Sequence, residues 1–293
     1  MLNKKPSSTG KSKLPNELKI EAHNGTENHS MGAMLKAISA AMKLVADKEI
    51  MPRYMRVAHQ QKYDGSLCTE ADIAAQEALI ERLQAIHNVP VLGEEMEAAQ
   101  QEKIWGNGRQ ELWCIDPIDG TSNFVHGLPY FAISVALIRE GKTVFGVVYD
   151  PVAKEVFAAE RGRGAFLNGV RMHKRSVCKT LPEALANVDL KRLSAKLAAA
   201  IASKPPFASQ RNFGASTLDW CYTAAGRYDA YLHGGQKLWD YAAGSLVLEE
   251  AGGHICSLQY DEFAEGDIWR RSVIAALDTD IFNAWKQWIR THQ

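Results

Sequence analysis

Residues 112–123 read Leu-Trp-Cys-Ile-Asp-Pro-Ile-Asp-Gly-Thr-Ser-Asn, and the reading of this stretch decides the fold. Leu112 to Ile115 form a short apolar run, the pattern of a buried strand. Asp116 and Asp119 follow, three positions apart with Pro117 between them, and Gly120-Thr121-Ser122 then turns the chain. Two carboxylates at a rigid strand end suit a hard cation such as Mg²⁺, which takes oxygen ligands in near-octahedral geometry. The backbone N–H groups of Gly120, Thr121 and Ser122 would serve an anion, particularly where a helix starts. Metal beside phosphate is the arrangement of metal-assisted phosphoryl chemistry. Taken alone, the stretch fits equally well a strand ending in an Asp-Pro turn with a second, solvated acid.

Upstream, Pro90-Val91-Leu92 is a short apolar run ending in Gly93-Glu94-Glu95, and a second strand end would bring these acids to the same metal. Residues 97–110 are polar and contain glycine, which predicts a loop. Met34, Leu35, Ile38, Ala41, Met42 and Val45 recur at helical spacing within Gly32–Lys48. Asp64-Gly65 marks a loop that includes Lys62. Thr69 with Asp72 three residues on predicts a capping box, opening a helix whose Ile73, Leu79, Ile80, Leu83 and Ile86 share a face. Residues 1–30 are rich in Lys, Ser, Asn and Thr and read as a disordered tail.

Downstream, four strand-like segments (Tyr130–Ile138, Thr143–Tyr149, Glu155–Ala159, Ala165–Leu167) are joined by short turns, which predicts an antiparallel meander. Gly162 and Gly164 lack a third glycine and a following helix, so they read as a β-turn rather than a nucleotide loop. Composition loosens near Arg175–Pro182, which places a boundary between an N-terminal α+β domain (31–180) and a C-terminal α/β domain (181–293). In the second part a short helix is expected over Leu193–Ala202. Ser216 and Asp219 would cap a helix over Thr217–Ala225, and Tyr228–Leu232 and Ser272–Ala276 read as strands. Trp239-Asp240 opens a helix over Tyr241–Ala251, with Asp240 either its N-cap or a third acid for the metal, and a last helix follows Asp278.

Apolar residues make up 46% of the 293-residue chain and charged residues 23%, enough apolar material for a sizeable core. Formal net charge is zero, so no global field draws nucleic acid or an anionic membrane, and direct nucleic-acid binding is not expected. No stretch reaches the length of a membrane span, and the N-terminus lacks the apolar core of a secretory signal. Five cysteines, widely spaced and without a C-x-x-C, suit reduced thiols and a cytoplasmic protein.

Three segments together, Gly93-Glu94-Glu95, Asp116-Pro117-Ile118-Asp119-Gly120-Thr121 and Trp239-Asp240-x-Ala242-Ala243-Gly244, resemble the inositol monophosphatase family of Mg²⁺-dependent, lithium-sensitive phosphatases over roughly residues 33 to 290. The resemblance implies a layered αβαβα sandwich of the sugar-phosphatase type and a homodimer. It implies Glu94, Asp116 and the Ile118 carbonyl as ligands of the tightest metal, Asp116, Asp119 and Asp240 as those of a second, and Glu95 at a third through water. Two or three Mg²⁺ ions are therefore expected. Thr121 and Glu94 would orient the attacking water, Asp72 would pair with the Thr121 hydroxyl, and Gly120, Thr121 and Ser122 would hold phosphate. Lys62 matches the lysine of a mobile loop near the site, and Arg211, Gly214 and Ser216 fall where the family meets substrate and partner subunits.

The chain departs from the family at the alcohol side. Members acting on inositol phosphate carry a glutamate seven residues before the last metal aspartate, and here that position is His233, with Lys237 close behind. An imidazole can donate where a carboxylate only accepts, so His233 and Lys237 are expected to favour a substrate with a further anionic group, or else merely to line a loop. The expected activity is hydrolysis of an inositol-1-phosphate-like monoester by direct attack of metal-activated water. Histidinol phosphate, fructose-1,6-bisphosphate, a nucleotide 3′-phosphate, or a binding role in RNA synthesis are the alternatives.

Overall fold

The computed structural model describes residues 31–56, 59–61, 67–107, 110–174 and 178–293. The tail 1–30, Lys62 with its loop, and residues 175–177 of the expected domain boundary lie outside the described residues.

Helix α1 (Ala33–Val45) runs on into a wider π turn over Ala46–Ile50, and α2 (Glu70–Ile86) follows a two-stranded antiparallel ladder of β1 (His59–Gln61) and β2 (Leu67–Thr69). The capping box at α2 forms as expected. Thr69 Oγ1 accepts the Ala71 N–H at 3.1 Å, and Asp72 Oδ2 accepts the Thr69 N–H at 2.7 Å.

Seven strands then make one sheet: β3 (Val91–Gly93), β4 (Glu111–Asp119), β5 (Ala132–Arg139), β6 (Lys142–Asp150), β7 (Glu155–Glu160), β8 (Gly164–Leu167) and β9 (Val170–Arg171). From β4 onward it is the expected antiparallel meander; β3 joins β4 in parallel. A parallel pair needs a crossover. Here that crossover carries α3 (Ala98–Asn107), where the sequence predicted a loop; Ile104 and Trp105 dock partly buried on the core and hold it. The short helix α4 (Thr121–His126) follows β4.

The second sheet has the order β11 (Ser209–Arg211), β10 (Leu185–Asp189), β12 (Ala230–Gln236), β14 (Arg271–Ala276), β13 (His254–Cys256). Its β11–β10 and β10–β12 pairs are parallel and the other two antiparallel. Strands β10, β11 and β13 are short and went unforeseen, because their own residues carry no clear alternation and their neighbours complete them. Helices α5 (Ala195–Ser203), α6 (Ser216–Ala224), α7 (Leu238–Glu250) and α8 (Thr279–His292) belong to this half.

Strand alternation sorts the core into layers. Ile133, Val135 and Leu137 of β5 face Leu35, Ile38 and Leu79 of α1 and α2. Ala132, Ala136 and Ile138 face the other way, onto Leu218 and Trp220 of α6 and Leu246 and Val247 of α7. The same α6–α7 layer covers Tyr231, Val273 and Ala275 of the second sheet, whose far face packs Ile274 and Ala276 on Ile281 and Trp285 of α8 and Leu197 of α5. The result is the αβαβα sandwich. It explains why α7 is apolar all round, with no polar face to mark it as a surface helix.

Glycine sets the spacing of the middle layer. A Cβ on Gly146 of β6 would lie 2.7 Å from the Ala243 carbonyl oxygen, and one on Gly244 would lie 2.5 Å from Trp220 Cβ. Gly244→Ala is expected to push α6 and α7 apart and to lower stability in urea unfolding by about 1–3 kcal/mol.

Candidate active site

The structure brings together the carboxylates that the sequence scatters. Asp116 and Asp119 end β4, where the pairing with β5 slips between them, so the two side chains no longer alternate across the sheet. Asp240 comes from the first turn of α7. Asp116, Asp119 and Asp240 each offer an oxygen within 4.8 Å of the others. Glu94, just past β3, has its carboxyl within hydrogen-bonding reach of Asp116, and its N–H donates to the Ile115 carbonyl at 3.2 Å.

Each acid is held by backbone or by a neutral donor. Asp116 Oδ1 accepts the Ile118 N–H at 3.0 Å. Asp119 Oδ2 accepts both the Thr217 N–H at 2.6 Å and the Thr217 hydroxyl at 2.7 Å. Asp240 Oδ2 accepts the Lys237 N–H at 2.8 Å, which makes Asp240 the third residue of its helix and not the N-cap. Loss of hydration pushes Asp116 well above the usual carboxylate range, with the charges of Glu94, Asp119 and Asp240 adding to it. Asp240 rises well above that range by the same loss and the charges of Asp119 and Glu94. Asp119 is raised to about 6, less than burial alone would give, because Thr217 stabilises its charged form.

The remaining predicted residues fall into three groups. Beside the acids, the Thr121 hydroxyl lies 3.3 Å from Asp72 Oδ1 and 3.0 Å from the Ile118 carbonyl, able to donate to one at a time. Burial raises Asp72 to about 7 against its Thr69 bonds, with the charge of Glu95 helping. Glu95 donates its N–H to Gln76 Oε1 at 3.0 Å. Gly120 adopts a left-handed φ of 88°, and a Cβ there would sit 3.0 Å from the Tyr130 carbonyl oxygen, so this turn admits only glycine without strain. Ser122 is exposed in the first turn of α4.

Along the wall, Gly214 faces Asn123, whose amide donates to the Phe213 and Tyr130 carbonyls at 2.6 and 2.7 Å and ties this loop to α4. Ser216 opens α6 without a side-chain cap bond, and Asp219 accepts the Tyr130 hydroxyl at 2.9 Å instead of joining it in a cap. Arg211 is exposed on the sheet edge and donates to Ser209 Oγ and the Gln210 carbonyl.

The third group corrects an expectation. His233 is buried, its Nδ1 accepts the Gly235 N–H at 3.1 Å, and its Nε2 stands 3.3 Å from Asp189 Oδ2 on the neighbouring strand. The accepted N–H leaves the ring hydrogen on Nε2, which donates to Asp189. Both ring nitrogens are thus spent inside the protein, and His233 is no free donor for an anion. Lys237 is exposed at the start of α7.

Sequence reasoning missed Thr217, Gln76, Gln101 and Asp189. Gln101 donates to the Gly93 and Glu94 carbonyls at 2.9 and 3.1 Å, fixing the strand end that carries the glutamates. It lies in the segment read as a loop, and nothing in its local sequence marks it.

Fold and acid cluster define a layered α/β protein with a candidate metal centre. The description "inositol monophosphatase family" matches residues 27–289, and the chain belongs to that family. It is 38% identical over 235 residues to a Nus factor SuhB of Pasteurella multocida, covering 77% of this chain and 85% of that one. It is 34% identical over 225 residues to an inositol-1-monophosphatase of Caulobacter vibrioides, covering 71% and 81%. Among solved structures, an IMPase/NADP phosphatase complexed with Mg²⁺ and phosphate superposes with a TM-score of 0.73 at 25% identity, covering 86% and 93%.

Two outcomes follow from this geometry. Thr217→Val removes one of the bonds that hold Asp119 and should weaken Mg²⁺ binding, read by calorimetry, by about ten- to a hundred-fold. Without divalent cations, the folded protein keeps protons on Asp119 and Asp72 that the unfolded chain gives up near the ordinary carboxylate value of 3.8. Stability is then fully present at acid pH and is lost as pH rises through about 6 and about 7. Melting curves should show the Tm falling over that range and saturating Mg²⁺ reversing the fall.

Proposed function

We propose that the protein is a Mg²⁺-dependent phosphatase that hydrolyses a small phosphate monoester, with inositol-1-phosphate as the reference substrate. The observation that carries this is the convergence of Asp116, Asp119 and Asp240 within 4.8 Å, each held by backbone or hydroxyl donors. All-oxygen donors in a cluster too rich in negative charge fit a hard divalent cation. Glu94, Asp116, the Ile118 carbonyl, Asp119 and Asp240 would hold two ions, and Glu95 would reach a third through water. When bound, Mg²⁺ neutralises the ester, lowers the pKa of water and steadies the charge on the leaving oxygen.

The chain's own groups then have distinct tasks. Glu94 and Thr121 orient a water for in-line attack, and Asp72, by accepting from the Thr121 hydroxyl, fixes its lone pairs toward that water. The turn at Gly120, Thr121 and Ser122 presents N–H groups to the phosphate. A new bond forms between the water oxygen and phosphorus, the bond to the alcohol oxygen breaks, and inorganic phosphate and the alcohol leave. Arg211, Gly214 and Ser216 belong to the wall around the alcohol. A homodimer and a cytoplasmic location go with this reading through the family. Among the described residues no helix is long and apolar enough to cross a membrane.

A second reading, a binding role in RNA synthesis, draws on the relatives named Nus factor. It does not require the acids to hold metal. Phosphate release from inositol-1-phosphate, with and without Mg²⁺, separates the two. Asp116→Asn is expected to abolish release, and Thr121→Ala to lower kcat by about a hundredfold or more with little change in fold. Wild-type protein that binds no Mg²⁺ and releases no phosphate from any monoester would leave only the binding role.

A further inference from the structure

We propose that Gln76 and Gln101 grip the peptide group between Glu94 and Glu95 from its two ends, and that this grip assigns the two adjacent glutamates to different metal positions. The proposal rests on the phosphatase reading and adds two positioning residues to that same site.

Glu94 and Glu95 are neighbours in sequence, yet they serve different acids. The Glu94 carboxyl reaches Asp116. Asp72, raised chiefly by burial, feels the charge of Glu95 more than that of Glu94. What parts two adjacent side chains is the plane of the peptide between them, through ψ of the first residue and φ of the second. Both polar ends of that plane are taken here. Gln101 Nε2, from α3, donates to the Glu94 carbonyl at 3.1 Å and to the Gly93 carbonyl at 2.9 Å. Gln76 Oε1, from α2, accepts the Glu95 N–H at 3.0 Å. The preceding peptide is held as well, since the Glu94 N–H donates to the Ile115 carbonyl of β4 at 3.2 Å.

Both glutamines are buried. What they meet dictates how their amides point: two carbonyls call for the amide nitrogen, and an N–H calls for the amide oxygen. Gly93 makes room for Gln76, because a Cβ there would lie 2.1 Å from Gln76 Oε1. Gln76 also stands four residues past Asp72 on α2, and Asp72 Oδ1 lies 3.3 Å from the Thr121 hydroxyl. Residues at that spacing share a helix face. One face of α2 therefore touches both the glutamate segment and Thr121, which follow different strands, and sets the two groups that orient water against a common support.

The competing account is that the glutamines only satisfy buried backbone groups. They would then add to stability and leave metal affinity alone. Calorimetric titration of Mg²⁺ into wild type, Gln76→Met, Gln101→Met, the double methionine variant, Gln76→Glu and Gln101→Glu separates the accounts, with urea unfolding measured alongside. Methionine keeps the length and loses the bond, so each single methionine variant should weaken Mg²⁺ binding about tenfold. The double variant should stay within about threefold of the weaker single one, because both changes act on one peptide group. Glutamate at 76 still offers an oxygen to the N–H, whereas glutamate at 101 offers the carbonyls no donor. Gln76→Glu should therefore bind Mg²⁺ within about threefold of wild type, and Gln101→Glu should lose at least as much as Gln101→Met. With inositol-1-phosphate, the weakened variants should need about tenfold more Mg²⁺ for half-maximal rate, while KM at saturating Mg²⁺ stays within about twofold. Methionine variants that lose urea stability but bind Mg²⁺ as wild type does, or two glutamate variants that behave alike, overturn the grip. Wild-type protein that takes up no Mg²⁺ would sink the phosphatase reading itself.

Discussion

Carboxylates that share a site repel one another, and here buried Asp116 stands against half-buried Asp119, Asp240 and Glu94. Such a cluster persists only because something else holds its members in place. The holding is done by backbone and neutral groups: the Ile118 N–H on Asp116, the Thr217 N–H and hydroxyl on Asp119, the Lys237 N–H on Asp240. None of these cancels charge. Such an arrangement holds electrostatic repulsion that a divalent cation would relieve.

The layered fold makes that concentration of charge possible. β4 delivers two acids at its end because the pairing with β5 slips there. α6 and α7 begin side by side at the same edge of the middle layer, and their first turns supply Thr217 and Asp240. A large apolar layer shared by both sheets opposes the repulsion at its rim. Close packing of Gly146 on Ala243 and of Gly244 on Trp220 sets how near α7 lies to the first sheet and to α6.

The end of β12 follows another logic. There the second sheet ends in a glycine bulge, a buried imidazole bonded to an aspartate, and exposed arginines. Strand β10 puts Asp189 opposite His233, and this one register match turns an imidazole that looked available for ligand into a structural group.

The acids themselves were legible in the sequence because each sits at a punctuation mark: Glu94 and Glu95 after an apolar run and a glycine, Asp116 and Asp119 around a proline before Gly-Thr, Asp240 at a helix start. Local chemistry also wrote the meander, the capping box at Thr69 and the helix after Asp278, since short turns and side-chain caps act within a few residues. What Thr217 and Asp189 do was not legible, for their partners Asp119 and His233 lie far away along the chain and only folding brings them near. The strands β10, β11 and β13 were invisible for a related reason, that neighbouring strands decided their form, whereas α3 was masked by its polar composition and its glycine although Ala98 to Lys103 are good helix formers. The fate of His233 was settled last of all, by which residue stood across from it in a parallel pair, and register between distant strands is a property that a one-dimensional pattern does not contain.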